Sequence, residues 1–170
     1  MDFECLKRLL AQHAEIVRQL TDGVTPEQAC WKPDEDTWSI LEIVNHLYDE
    51  EREDFRAHLD VILNKPEEGW GHISPFAWVT ERRYNERDLE TSVQNFLAER
   101  HNSLVWLDSL GAPNWEAHIP TPWDADMRAG DMFASWVIHD QWHIQQLVQI
   151  RRAYVIAQVA PYDVRYAGTL

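Results

Sequence analysis

The sequence predicts an all-α protein, a four-helix bundle with long connections after its second and third helices. Apolar residues recur at helical spacing in four long segments, no segment shows a convincing strand pattern, and the connections are rich in proline and glycine. A chain of 170 residues, of which 45% are hydrophobic, is close to the usual size of one domain. We therefore expect a single domain over residues 1–170.

The first two helices are predicted from apolar spacing and from one strong start signal. Helix one covers residues 2–20, and Pro26 in the connection after it indicates only a short helical turn. Ser39 with Glu42 three residues later forms a capping box, a pattern typical of helix starts. Helix two is therefore predicted to begin there and to continue to about Leu63.

Helices three and four each follow a long connection. The stretch over residues 64–86 holds two prolines and two glycines, leaves room for short turns of its own, and is of a length that is often functional. Helix three is predicted over residues 88–110, ending at Gly111. Helix four is predicted over residues 131–157, with Asp131 as its N-terminal cap. The sequence shows no internal repeat.

The charge balance excludes several classes of partner. Fifteen Lys and Arg against 29 Asp and Glu give a formal net charge of -14, which repels nucleic acid and anionic membrane surfaces.

No apolar run approaches the length of a membrane span or resembles a secretory signal. Cys5 and Cys30 form no disulfide framework or zinc ribbon. We expect a cytoplasmic protein that binds neither nucleic acid nor membrane.

The stretch "IHDQWHIQQL" places His139 and His143 four residues apart on helix four. Residues at this spacing are separated by about 40° around the helix and about 6 Å along it, so the two imidazoles can chelate one metal ion. Two polar residues on a surface would show the same spacing. HDQWH also resembles the protease motif HExxH, but no Glu follows Glu116, no His follows His143, and Asp140 is shorter than the Glu that this chemistry uses.

A third ligand for the pair must therefore come from upstream, and His46 is the best candidate. It lies in the middle of helix two between Val44 and Leu47, close to the apolar stripe that should face the bundle interior. A neutral core histidine with one hydrogen bond is the alternative interpretation. Bundles commonly build metal sites from facing helices, which favours a site shared by His46, His139 and His143.

The same residues carry a resemblance to the DinB/YfiT-like family of four-helix bundles. Members of this family have a "WS..E...H" stretch on helix two and HxxxH on the last helix, here Trp38 to His46 and His139 to His143, followed by Gln146 and Leu147. The resemblance covers essentially the whole chain. The sequence departs from the family pattern at Trp142, where a further histidine is common, and at Gln145, where a small residue is frequent.

The resemblance implies a divalent metal held by the three histidines, a homodimer, and either transfer chemistry with a low-molecular-weight thiol or metal-dependent hydrolysis. Three neutral imidazoles leave the charge of a metal uncompensated and a coordination position open to water or a thiol, an arrangement that suits catalysis. Zinc or nickel is the expected metal, with iron or manganese as alternatives. A noncatalytic bundle that binds metal or a small ligand remains the other hypothesis, and no catalytic residue is identified.

The surroundings of the three histidines are predicted from spacing along the helices. Residues one turn away should fix the imidazole tautomers, and the candidates are Asp49, Glu50 and Gln146, with an acidic solvated face as the alternative interpretation. The candidates for lining a pocket are Trp142, His72 and Trp78, although loop packing is the preferred interpretation for the last two. Asp140 is predicted to be a surface residue or a contact to a neighbouring helix. The acidic residues expected on a solvated face are Glu51 and Glu53, and the histidines expected at ordinary surface or interface positions are His13, His58, His101 and His118.

Overall fold

The computed structural model describes residues 1–123 and 125–168. The described chain is mainly helical, and the prediction of an all-α four-helix bundle is confirmed. Its α-helices are α1 (Phe3–Thr21), α2 (Pro26–Cys30), α3 (Ile40–Glu50), α4 (Arg56–Asn64), α5 (Pro75–Glu81), α6 (Leu89–Ser109) and α7 (Ala129–Gln158). Two short strands, β1 (His118–Pro120) and β2 (Asp126–Arg128), pair as an antiparallel hairpin. None of the described helices is both long enough and apolar enough to cross a membrane.

The predicted second helix is one long rod with a π-helical turn at its centre. α3 begins at the predicted capping box, in which the Glu42 backbone N–H donates to Ser39 Oγ at 3.0 Å and the Ser39 N–H donates to Glu42 Oε2 at 2.8 Å. The π turn over Glu51–Phe55 then joins α3 to α4. Turns of this kind within α-helices occur frequently at functional sites. This one directly follows the part of α3 that carries His46.

The four long helices are not arranged in simple sequential order around the bundle. α1 packs against α6 and α7, and α3 also packs against α6 and α7. The first two long segments of the chain therefore lie at opposite corners, and the last long helix lies between them. This arrangement brings α3 and α7, which carry the three histidines of interest, into direct contact.

Two apolar clusters fill the bundle on either side of a polar layer. One cluster contains Leu10, Phe55 and Phe133, and the other contains Val17 and Leu147. Burial of each such side chain contributes roughly 1.5–3 kcal/mol to folding. On each long helix some buried polar residues lie between the positions that belong to the two clusters, and these include His13 on α1, Glu50 on α3, Glu51 in the π turn, Arg100 on α6, and Asp140 and His143 on α7.

Two local features differ from the sequence-based prediction. α7 begins at Ala129 with Arg128 at the cap position, so the prediction of Asp131 as the cap is wrong. Asp131 instead lies in the first helical turn and pairs with Arg128 at 2.8 Å, where a carboxylate also suits the helix dipole. The hairpin of β1 and β2 was not predicted because strands of three residues are too short to show an alternating pattern.

The tryptophans of the connections pack over other parts of the protein. Trp70 stacks on His58 with 4.0 Å between ring centroids, and Trp115 stacks on Phe133 at 5.3 Å. Trp31 meets Tyr154 edge to face. These contacts match loop packing over a core, and none of these tryptophans lines the cavity above the three histidines.

Candidate metal centre

His46 on α3 meets His139 and His143 on α7 at the floor of a cavity. The Nε2 atom of His139 lies 3.3 Å from Nε2 of His46 and 3.1 Å from Nε2 of His143. One nitrogen from each ring lies within 4.8 Å of the other two. His46 and His143 are buried and His139 is partly exposed. The structure thus brings together, from two helices, the three histidines that were predicted to share a site.

A hydrogen bond fixes the tautomer of one imidazole. The Nδ1 atom of His143 lies 2.7 Å from Oε1 of Gln146, one turn along α7. An amide oxygen only accepts hydrogen bonds, so His143 Nδ1 carries the proton and donates it to Gln146. His143 Nε2 therefore keeps its lone pair and directs it toward the other two histidines. Gln146 lies where a residue that orients this ring was expected.

Burial keeps the three imidazoles uncharged. It lowers the pKa of His46 to about 2, with further contributions from the neighbouring His143 and His139. Burial, together with the nearby His143, also lowers the pKa of His139 to about 3, and burial lowers the pKa of His143. Neutral imidazoles have a free nitrogen lone pair, which is the form that binds metal ions.

Two buried polar atoms beside the histidines face each other without a hydrogen bond. Among the described residues, His46 Nδ1 and Glu50 Oε1 have no hydrogen-bond partner, and they lie 4.0 Å apart. The other carboxyl oxygen, Oε2, lies 3.9 Å from His139 Nε2. Burial, and next the neighbouring Asp54, raise the pKa of Glu50 to about 9. Buried polar atoms normally have hydrogen-bond partners. A bound cation or ligand would supply the partners that His46 Nδ1 and Glu50 Oε1 lack.

Asp49, the other acidic candidate, does not contact the histidines. Its carboxylate accepts hydrogen bonds from Arg52 at 2.9 Å, Arg82 at 2.6 Å and the Tyr84 hydroxyl at 2.5 Å. The fourth residue after His46 is rotated by only about 40° around the helix, whereas the third is rotated by about 60° in the opposite direction. Glu50 therefore shares the face of His46, and Asp49 turns toward α5 and the segment that follows it.

The cavity above the histidines has a volume of about 860 Å³. Trp38 forms one wall beside the site, parallel to the His143 ring with 6.0 Å between centroids, and it meets His46 edge to face at 4.8 Å. Phe76 of α5 and Trp142 of α7 line the same cavity. Its size is within the range of small-molecule sites.

A family model of the DinB superfamily matches residues 9–147. The chain belongs to the DinB superfamily. Among solved structures, it is similar to YfiT from Bacillus subtilis, a probable metal-dependent hydrolase with an unusual four-helix bundle topology. The two share 15% sequence identity and superpose with a TM-score of 0.78 over 89% of this chain and 87% of that one, so they share the fold. Comparison with curated proteins gives no significant match.

In this DinB-superfamily chain, only one of the three predicted pocket candidates lines the cavity. Trp142 does so, whereas His72 lines a separate small cavity beside Trp70 and Trp123. Trp78 is buried in a cluster with Val79 and Tyr84. His72 and Trp78 therefore do not belong to this cavity, and loop packing, the preferred interpretation for both, fits their positions in the connection after α4.

Several residues of the cavity were not predicted. They include Trp38, Phe76, Gln149 and Arg152. Helical spacing gave a signal for Gln149, which lies three residues after Gln146. It gave none for Arg152, because the ninth residue after His143 is rotated by about 180° around the helix. No such signal existed for Phe76, because only the packing of α5 brings it to the cavity.

The predicted solvated face of the second helix is partly buried in the DinB-superfamily bundle. Glu51 is 1% exposed and accepts two hydrogen bonds from Arg100, both at 2.7 Å. Arg100 also donates to Asp140 at 2.7 and 2.9 Å, and Asp140 lies 3.2 Å from His13. The interpretation of Glu51 as solvated is therefore wrong. Asp140 contacts a neighbouring helix, which is one of the two roles predicted for it.

Two histidines expected at ordinary surface or interface positions are also buried. His13 belongs to the Arg100 network, and His58 bonds Asp54 at 2.7 Å beneath Trp70. His101 and His118 are exposed, as expected. A charged residue at a core position, such as Arg100 between Phe96 and Leu107, was the one available signal of a buried polar network.

Proposed function

We propose that this protein is a metal-dependent hydrolase of a small molecule, with His46, His139 and His143 as the metal ligands. The observation that carries the proposal is the meeting of three neutral imidazoles from two helices, two of them buried and one partly exposed, at the floor of a cavity. Hydrolysis is favoured over transfer because the similar bundle YfiT is a probable metal-dependent hydrolase.

The donor set fits a divalent cation. The His143 tautomer directs a lone pair inward, and Glu50 places a carboxyl oxygen within 3.9 Å of His139 Nε2. Imidazole nitrogens suit zinc and nickel better than they suit manganese, so zinc or nickel is the proposed metal. When bound, such a cation supplies a Lewis acid and lowers the pKa of water toward about 7.

The residues around the ligands have separate tasks in this proposal. Gln146 holds the His143 ring in one tautomer and orientation, a role that supports metal affinity. Glu50 faces both His46 and His139, and a bound cation would favour its ionised form, which would then compensate part of the charge of the cation. Trp38 shields the ligands from bulk water on one side.

Two other readings from the sequence stay open. Transfer with a low-molecular-weight thiol stays a prediction, as does a noncatalytic metal-binding bundle. The homodimer also stays a prediction. Exposed apolar residues along α7 offer it a surface, and they include Ile138, Val148, Val155 and Ile156.

Elemental analysis and kinetics test the proposal together. The parent protein is expected to copurify with close to one divalent metal per chain and to hydrolyse members of a panel of p-nitrophenyl esters. His46→Ala should lose the metal, and His143→Ala should lower turnover by about 100-fold or more, because each removes a ligand. His101→Ala, which changes an exposed histidine on α6, is the matched control and should behave like the parent.

Three outcomes would contradict the proposal in different ways. Metal retained by His46→Ala but lost by His139→Ala would indicate a two-histidine site on α7 alone. Metal-dependent reaction of glutathione or cysteine with an aromatic electrophile, without ester hydrolysis, would favour the transferase. Full metal content with neither activity would favour the noncatalytic bundle.

A further inference from the structure

We propose that Arg152 determines substrate specificity by binding a carboxylate, so that the cavity accepts an organic acid with an apolar body. The inference deepens the proposed function, because it names the substrate class of the same cavity. The binding step itself depends on Arg152 and the cavity walls and does not require the metal.

The cavity walls call for an apolar substrate body. Phe76 is 82% exposed and Trp142 is 66% exposed, although both are large aromatic side chains at the cavity. Trp38 lies 5.9 Å from Phe76 between ring centroids, and Ile43 and Ile150 complete the apolar lining. Covering such surface is favourable by roughly 25 cal/mol for each Å² removed from water. An aromatic or aliphatic group therefore fits between these residues.

Arg152 is the one Lys or Arg among the described residues that line this cavity. Its side chain is exposed and makes no ion pair or hydrogen bond with any residue that the structure describes. Nearly every other basic side chain has such a contact; even its neighbour Arg151 donates to the backbone oxygen of Leu20. In a chain with a net charge of -14, a cation without a protein partner at a cavity is suited to bind an anion.

The position of Arg152 sets the distance between the anion and the histidines. It follows His143 by nine residues on α7, which corresponds to about 13 Å along the helix axis and about 180° around it, yet both residues line the same cavity. Side chains on a helix lean toward its N-terminus, which here is the direction of the histidines. A ligand whose acid group pairs with Arg152 can therefore extend its apolar body along Trp142 toward the metal centre.

The cavity favours a carboxylate over a phosphate. A guanidinium binds either group through paired N–H donors. A phosphate dianion is best matched by more than one positive partner, and the other ionisable side chains that line the cavity, apart from the histidines, are Asp36 and Glu50, which supply no positive charge. A single arginine without a second cation is better matched to a monoanion.

Calorimetric titration of the metal-loaded protein with 6-phenylhexanoate and its neutral amide tests the inference. The acid is expected to bind about tenfold more tightly than the amide, because only the acid pairs with Arg152. Arg152→Gln should reduce this ratio to less than twofold. Arg8→Gln removes the same charge from an exposed site on α1 and should keep the tenfold ratio.

The same titration of parent protein stripped of metal separates this inference from the proposed function. A ratio that persists without metal and disappears in Arg152→Gln supports the inference, even if no hydrolysis is found. A ratio that survives Arg152→Gln but is lost on stripping would overturn it, because the metal would then be the site of the carboxylate. Equal binding of acid and amide to the parent, or binding of neither, would also overturn it.

Discussion

Arg100 is the single residue on which the polar layer of the bundle depends. It is 1% exposed, and its guanidinium binds Glu51 and Asp140 through four hydrogen bonds while also donating to the Leu10 backbone oxygen. Trp136 Nε1 adds a further hydrogen bond to Glu51 at 3.0 Å. A buried ion pair stabilises a fold little more than well-packed apolar residues in its place would. Removing only one partner is costly, however, because the other charge then stays buried without compensation.

Substitution of Arg100 is expected to be strongly destabilising. Arg100→Leu leaves the carboxylates of Glu51 and Asp140 buried without their cation, and the free energy of unfolding should fall by about 3–5 kcal/mol. Urea unfolding followed by circular dichroism measures this loss. If the variant does not fold, Arg100→Lys retains the charge without the paired geometry and should show an intermediate loss.

The exposed pair of Arg83 and Glu86 provides the control for this prediction. Arg83→Gln breaks an ion pair on the surface and should change the free energy of unfolding by less than about 1 kcal/mol. A loss of similar size in the free energy of unfolding for Arg83→Gln and Arg100→Leu would contradict the prediction, because burial of the network would then add nothing to the effect of the substitution.

The element that positions His46 is the long rod of α3, the π turn and α4. Its start is determined locally by the reciprocal hydrogen bonds of Ser39 and Glu42. The Ser39 hydroxyl also donates to Asn85 Oδ1 at 2.6 Å and so ties the start of α3 to the segment after α5. That segment directly follows α5, which supplies Phe76 to the cavity. Ser39 therefore links the helix that carries His46 to the part of the chain that forms one cavity wall.

Removal of this cap is expected to weaken the whole rod. Ser39→Ala deletes both hydrogen bonds of the hydroxyl and should lower the free energy of unfolding by about 1–2 kcal/mol. Chemical denaturation measures the change. Ser109→Ala, at the exposed end of α6, is the matched control and should stay within about 0.5 kcal/mol of the parent. Equal effects of the two substitutions would contradict the special role of the cap.

The surface of the whole molecule is dominated by negative charge. The formal net charge of -14 comes from 29 acidic residues, and many of the fifteen basic ones are held in ion pairs, including Arg56 with Glu99 and Arg82 with Glu53. Little positive charge is therefore left for a phosphate backbone. A cytoplasmic location and a single domain over residues 1–170 stay predictions.

The protein is expected not to bind duplex DNA. Phosphate contacts supply most of the affinity for nucleic acid, and this surface repels phosphate. An electrophoretic mobility assay with a 30-base-pair duplex at low salt should show no shift at micromolar protein. A retarded band that disappears as salt is raised would contradict the prediction, since that dependence is characteristic of phosphate contacts.

The sequence by itself determined the helical segments and the three converging histidines. Helical spacing and the capping box are local properties, so Ser39 and Glu42 mark the start of α3 from a few neighbouring residues. The i,i+4 spacing of His139 and His143 places both imidazoles on one helix face before any packing is known. Their meeting with His46 needed one further step, the apolar stripe that directs His46 toward the bundle interior.

Only the tertiary structure decided which polar groups meet across helices. Periodicity orders residues around one helix, but it does not say which helix lies beside which, and here the first two long segments are at opposite corners of the bundle. For this reason Glu51 belongs to a buried network with Arg100 and not to a solvated face, and Asp49 turns away from the histidines. The cavity walls depend in the same way on long-range packing, because Phe76 and Arg152 are far apart in the chain and lie together only after folding.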